Sequence, residues 1–179
     1  MVHIHSFWYH SVISSRVFLG HLLMIEVAVT AEIEEEAWDR ASDMPFLSGS
    51  ITNGTSNVVG CLGEILVQRH LHAKFSNTFN YDLIDGERRI DVKTKRCDSE
   101  PLPFYDCSVA AHGSDQECDD YVFVRVLKNM SRAWLLGRVS KKQFFEKATR
   151  YRRGDIDPSN GYIFRADCYN IPINELDTL

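Results

Sequence analysis

The fold is decided by residues 81–95, which read Tyr81-Asp82-Leu83-Ile84-Asp85-Gly86-Glu87-Arg88-Arg89-Ile90-Asp91-Val92-Lys93-Thr94-Lys95. At the centre of this stretch stands the dipeptide Asp85-Gly86, which favours a tight type I′ turn between two strands. The residues on both sides of it are rich in β-branched and alternating side chains. The stretch therefore predicts a β-hairpin with strands over residues 79–84 and 87–96.

The pairing of this hairpin predicts two chemically different faces. A two-residue turn at Asp85-Gly86 pairs Ile84 with Glu87 and Asp82 with Arg89, and side chains alternate between the two faces of a strand. One face is then predicted to carry the charged residues Asp82, Arg89, Asp91, Lys93 and Lys95. The opposite face is predicted to be apolar and to face the core through Tyr81, Leu83, Ile90 and Val92.

Around the hairpin, the hydrophobic pattern predicts a mixed α/β fold in a single domain. Helices are predicted over residues 32–41 and 58–72, and a third begins at Ser140, which stands at capping-box spacing from Gln143. Further strands are predicted over residues 24–29, 106–111, 121–127, 133–139 and 162–171. The runs 121–127 and 133–139 are almost continuously apolar, which is typical of central strands covered on both faces.

Composition sets limits on the partners and the compartment. The chain has 179 residues, of which 44% are hydrophobic and 25% charged, and its net charge of −5 means that local basic patches would have to hold any nucleic acid. Its five cysteines are an odd number without compact spacing, which favours a reducing, cytoplasmic location over a disulfide framework.

The beginning of the chain differs from the rest. Residues 1–23 are rich in histidine, and their apolar stretches are too interrupted for a signal peptide or a membrane span. We expect these residues to be a poorly ordered or non-native extension, and residues 24–179 to form the domain.

The charged face of the hairpin has the groups that phosphodiester hydrolysis needs. Asp82 and Asp91 are predicted to be diagonal neighbours, close enough to share one Mg²⁺ through carboxylate oxygens. Such an ion acidifies its bound water and neutralises charge on a phosphate. Lys93 points the same way as Asp91 and can orient the water or stabilise the charged transition state.

These residues resemble the PD-(D/E)XK nuclease superfamily, which has the restriction-endonuclease-like fold. Asp82 is similar to the acidic residue of the first half-motif, with Tyr81 in the place of proline, and Asp91-Val92-Lys93 matches the second half. Residues 57–150 follow the superfamily's order of elements, and residues 60–176 are similar to small phage-encoded members. The resemblance implies a mixed central sheet flanked by helices and a Mg²⁺- or Mn²⁺-dependent deoxyribonuclease, expected to be an endonuclease and in some members a homodimer.

Many members of this superfamily place a metal-binding glutamate on the helix before the hairpin. Glu64 is the candidate in this sequence. It lies on the far side of the apolar stripe formed by Val58, Leu62, Ile65 and Leu66, so it can reach the site only if other elements also cover the helix. An exposed helix glutamate is the alternative interpretation.

Three further residues, Lys95, Arg89 and Arg96, are candidates for contacts with nucleic acid. A second basic cluster at residues 141–153 either follows a nucleic-acid backbone or is the solvated face of a helix. Two non-enzymatic alternatives stay open for the whole chain. One is a catalytically inactive nucleic-acid-binding module of the same fold, and the other is a structural or interaction protein whose charged hairpin is only surface.

Overall fold

Ten strands and three α-helices make up the part of the chain that the structure, a computed structural model, describes: residues 14–19, 22–43, 57–76 and 78–179. The helices are α1 (Ala31–Ser42), α2 (Asn57–Leu71) and α3 (Lys141–Lys147). The strands are β1 (Ser14–Leu19), β2 (Leu22–Ala28), β3 (Lys74–Phe75), β4 (Leu83–Asp85), β5 (Arg88–Cys97), β6 (Asp106–Ala110), β7 (Asp120–Leu127), β8 (Arg132–Ser140), β9 (Thr149–Tyr151) and β10 (Cys168–Pro172).

The strands form two sheets. A seven-stranded sheet has the order β1-β2-β8-β7-β5-β4-β3, in which β5 and β7 run parallel and the other neighbours are antiparallel. A smaller antiparallel sheet has the order β6-β10-β9. The predicted single α/β domain with a mixed sheet is therefore confirmed. The predicted third strand exists as β6, but it belongs to the smaller sheet.

Both faces of the large sheet are covered, because alternate residues of its strands enter two different cores. Val122 and Val124 of β7 pack with residues of α1 and α2 on one face. Tyr121 and Phe123 pack on the other face with residues of β6, β10 and α3, including the fully buried Phe144. The strand β7 is therefore almost continuously apolar because both of its faces are covered, as the sequence predicted.

The hairpin forms, but its turn lies one residue later than predicted. Asp85 pairs with Arg88 and Ile84 with Arg89, so Gly86 and Glu87 are the central turn residues. Gly86 has a φ of +61°, whereas Glu87 has no positive φ, and this pattern fits a type II′ turn with glycine first. The prediction of a type I′ turn at Asp85-Gly86 was wrong, and with it the pairing of Asp82 with Arg89.

The faces of the hairpin follow the prediction along β5 and depart from it before β4. Leu83, Ile90 and Val92 enter the core beneath α1 and α2, as expected. Tyr81 packs against the opposite core, near Arg89, instead of joining them. The reason is that Asp82 lies in a bend outside β4, so strand alternation does not extend back to Tyr81.

The elements near the two ends of the chain differ in extent from the predicted ones. The late strand is shorter than the predicted segment 162–171, because β10 covers only Cys168–Pro172. Residues 1–13, 20 and 21 of the predicted extension lie outside the described residues, while Ser14–Leu19 pairs with β2 as β1. Among the described residues, no helix combines the length and the hydropathy needed to cross a membrane.

Candidate active site

Asp91 and Asp82 approach each other from β5 and from the bend before β4. Asp91 is 3% exposed, so its carboxyl group is buried in the sheet. The backbone N–H of Asp82 donates to the carbonyl of Ile90 at 2.9 Å, and Oδ2 of Asp82 accepts from the N–H of Val92 at 2.7 Å. These two hydrogen bonds hold the Asp82 carboxyl group against β5 on both sides of Asp91. The bend therefore brings together the two acids that the sequence singled out.

Glu64 reaches the same place from α2. The helix crosses β5 so closely that a Cβ atom on Gly63 would lie 2.0 Å from Oγ1 of Thr94. The Glu64 side chain is 14% exposed, and its Oε2 lies 3.5 Å from a guanidinium nitrogen of Arg40 on α1. Because α1 covers α2 from outside, a residue off the apolar stripe is still enclosed. The position of Glu64, on the far side of the apolar stripe, is thus compatible with the site.

The pKa values of Asp82 and Glu64 are both raised. Burial and then the negative charges of Glu64 and Asp91 raise the pKa of Asp82 well above its ordinary value, and a hydrogen bond with the Asp91 carboxyl group acts in the same direction. The N–H of Val92 opposes this rise. Burial and Asp91 also raise the pKa of Glu64, against the lowering effect of Arg40. Without a cation, the site therefore favours extra protons over full ionisation.

This coupling predicts that the Asp82→Asn variant is more stable than the wild type at pH 7 in EDTA. The raised pKa means that folded Asp82 keeps a proton that the unfolded chain releases above the ordinary aspartate pKa of about 4. The wild type's free energy of unfolding therefore falls as the pH rises from about 4 through the raised pKa, and asparagine removes this loss. Urea denaturation between pH 4 and pH 8 measures the difference, which should close near pH 4.

The same pair of proteins tests for a bound cation. If Mg²⁺ binds the folded wild type, a concentration 100 times its Kd should add about 2.7 kcal/mol to the free energy of unfolding and add much less in Asp82→Asn. A wild type that is the more stable protein at pH 7 in EDTA would contradict the carboxylate repulsion.

Lys93 supplies the positive charge of the site. Its Nζ lies 2.5 Å from Oδ2 of Asp91 and donates to Oε1 of Gln116 at 3.0 Å. Gln116 in turn donates from Nε2 to the carbonyl of Phe79 at 3.0 Å, which ties the ammonium group to the loop before β4. Sequence reasoning missed Gln116, and no local motif marks a residue 23 positions after its partner. Gln116 is a positioning residue for Lys93.

The donor set fits a small divalent cation, although it is not a preformed cage. In the part of the chain that the structure describes, no group of three or more His, Cys, Asp and Glu residues is arranged to hold a metal. Two carboxylates suffice for Mg²⁺, which usually keeps several of its waters. Oδ2 of Asp91 is buried and is already paired with Nζ of Lys93, so a bound cation would share this carboxylate with the ammonium group. A third ligand from Glu64 stays a prediction.

The predicted nucleic-acid contacts differ in their surroundings. Lys95 and Arg96 are exposed on β5 and line a cavity beside Lys93. Arg89 is held by Asp119 through two guanidinium hydrogen bonds of 3.0 Å, so its charge is already compensated. In α3, the phenylalanines of the second basic cluster belong to the core, since Phe144 is fully buried. The structure therefore brings Lys95 and Arg96 together beside the site and leaves Arg89 engaged elsewhere.

Comparison with known proteins finds no matching family model and no matching curated protein, so the chemistry of this site is inferred from its own residues.

Proposed function

We propose that this chain is a divalent-metal-dependent nuclease that hydrolyses phosphodiester bonds in DNA. The observation that carries the proposal is the convergence of Asp82, Asp91 and Lys93 at β5, where Asp91 is buried and the pKa of Asp82 is raised by burial and then by its acidic neighbours. Buried like charges of this kind are costly in a purely structural protein. They become favourable when a cation is held between them. Perturbed carboxylates in a cleft are typical of a catalytic site.

In this proposal the acidic residues hold the metal, and Lys93 stabilises negative charge. Asp82 and Asp91 would hold Mg²⁺ or Mn²⁺ through carboxylate oxygens, with Glu64 as an assisting ligand. When bound, the cation supplies a more acidic water and neutralises charge on the phosphate. Lys93, oriented by Gln116, would donate to the attacking water or to a phosphate oxygen as negative charge develops.

The arrangement also supports membership of the PD-(D/E)XK superfamily as a proposal. The helix α2, the hairpin of β4 and β5, and the acids on them stand in the order that the resemblance implies. Endonuclease action, a homodimer, a cytoplasmic location and a phage origin belong to the same proposal.

A DNA-binding module without catalysis is the second candidate, and one contact favours it. Nζ of Lys93 lies 2.5 Å from Oδ2 of Asp91, so these two charges already compensate each other without a metal. In such a module, affinity for DNA would depend on salt but not on divalent cations.

Cleavage assays with linear and closed circular DNA separate these candidates. With Mg²⁺ in excess over the protein, we expect both substrates to be cut, and EDTA in excess over Mg²⁺ should stop the reaction. The cutting of circular DNA identifies an endonuclease, because an exonuclease needs an end.

The same assays can also reject the nuclease. DNA binding that is salt-sensitive but independent of Mg²⁺ and Mn²⁺, together with intact substrates of both kinds, would support the binding module and reject the nuclease.

A further inference from the structure

A cavity of about 510 Å³ has Lys93 and Gln116 in its wall and extends beyond them along β5, while neither Asp82 nor Asp91 lines it. Its walls come from the second half of β5, from β6 and from the first turn of α2. It includes Lys95 and Arg96 of β5, together with His112 after β6. The aromatic ring of Phe79, which is 81% exposed, also borders it. The cavity is therefore a basic recess with an exposed aromatic side chain.

Arg125 is the least expected residue in this cavity. It lies on the central strand β7 and is only 7% exposed, although arginine is rarely buried without a partner. Its guanidinium group donates to the backbone carbonyl of Asp106. Among the described residues it makes no ion pair with a carboxylate. A buried guanidinium bound only to a neutral carbonyl retains its full charge and unused donors.

Lys95 adds a second positive charge at the same level of the sheet. It is the register partner of Arg125 in the parallel pair of β5 and β7, so the two side chains project from the same face. Loss of solvent and then the charge of Arg125 lower the pKa of Lys95. The opposing carboxylate is Asp106, whose Oδ2 already accepts a hydrogen bond from Asn170 at 3.0 Å. Two cations thus face one carboxylate, which leaves the recess positively charged.

We propose that this cavity is a phosphate subsite, in which Lys95 and Arg125 hold a backbone phosphate of the nucleic acid. The inference rests on the proposed nuclease function and extends it to a specific substrate contact. Asp91 and Lys95 are four residues apart on one strand, or about 13 Å. The phosphate bound here is therefore a different one from the phosphate that is cleaved. Phe79 offers a surface on which an adjacent base can stack.

Isothermal titration with inorganic phosphate, at constant ionic strength and without metal, tests the subsite separately from cleavage. The main variant is Lys95→Gln, because Lys95 is exposed and its replacement leaves the contact of Arg125 with Asp106 in place. We expect phosphate affinity to fall at least tenfold in Lys95→Gln. It should stay unchanged in Lys142→Gln, which removes an exposed lysine of α3 outside the cavity.

Cleavage kinetics provide the second measurement. Lys95→Gln should raise the KM for DNA about tenfold and leave kcat close to that of the wild type. The reason is that the lost contact holds the bound substrate and the transition state equally. Arg125→Lys should show the same split while retaining a positive charge in the buried position.

Equal phosphate affinity in the wild type and Lys95→Gln, or no phosphate binding by the wild type, would overturn the subsite. If phosphate binding depends on Lys95 but no DNA is cleaved, the phosphate site stands and the nuclease proposal fails. If DNA is cleaved and the phosphate affinity is the same in Lys95→Gln as in the wild type, the nuclease proposal stands and the phosphate subsite fails.

Discussion

An Asp91→Asn variant is expected to lose at least about 1,000-fold in the rate of DNA cleavage, because it removes the buried carboxylate at the centre of the site. Asparagine has nearly the shape of aspartate but neither its charge nor its affinity for a hard cation. It also removes the ionic partner of Lys93, whose ammonium group stays attached to Gln116. Single-turnover cleavage of a labelled duplex with saturating Mg²⁺ measures the loss.

The fold of this variant should remain intact, since a neutral side chain replaces a buried charge without a change in volume. Circular dichroism and a urea transition at pH 7 check this directly. Lys93→Gln should lose activity to a similar degree. The matched control is Asp98→Asn, directly after β5, where the side chain is 75% exposed and pairs with Lys128. Its activity should equal that of the wild type. Undiminished cleavage by Asp91→Asn would reject the mechanism.

The second large effect concerns stability and arises where α2 crosses β5. A Gly63→Ala variant is expected to lower the free energy of unfolding by up to about 2 kcal/mol, because overpacking a core usually costs about 1–3 kcal/mol and alanine returns about 1 kcal/mol. Its Cβ atom would lie 2.0 Å from Oγ1 and 3.0 Å from Cβ of Thr94, so the helix or the strand must move. This cost outweighs the gain of about 1 kcal/mol that alanine brings to a helix interior. Denaturation with urea, analysed at constant m, measures the change.

Gly60→Ala is the control for this prediction, one turn earlier on the same helix. A Cβ atom there meets no atom within 4 Å, so only the helix preference acts and the variant should gain up to about 1 kcal/mol. Because Glu64 follows Gly63 directly, the displaced helix should also weaken Mg²⁺-dependent cleavage in Gly63→Ala. Equal stability of the two variants would mean that α2 does not approach β5 as closely as described.

Much of the fold follows from local patterns in the sequence. The apolar runs of β7 and β8, the stripe of α2 and the cap of α3 at Ser140 all depend on residues within a few positions of one another. Hydrophobic period and capping chemistry act over that range, so these elements form where they were predicted. The association of Asp82 with Asp91 belongs partly to this class, because a short hairpin brings the two residues close in any register.

The register itself was decided by tertiary contacts. Arg138 of β8 pairs with Asp85 at 3.2 Å, and Arg88 pairs with the buried Asp120 of β7. These ion pairs hold Asp85 and Arg88 in the strands. The turn consequently falls on Gly86-Glu87, which the dipeptide Asp85-Gly86 alone does not predict. The bend at Asp82 and the packing of Tyr81 against the other core lie at the open end of the hairpin, before β4 begins.

By itself, the sequence determined that a hairpin carries Asp82, Asp91 and Lys93, and that a helix with Glu64 precedes it. Tertiary structure alone decided that α1 encloses Glu64, that Gln116 orients Lys93, and that Arg125 lies buried beside Lys95. The physical reason is the range of the interactions. Backbone preferences and side-chain alternation act between near neighbours in the chain, whereas these contacts join residues 23 to 30 positions apart and exist only once the sheet and helices have packed.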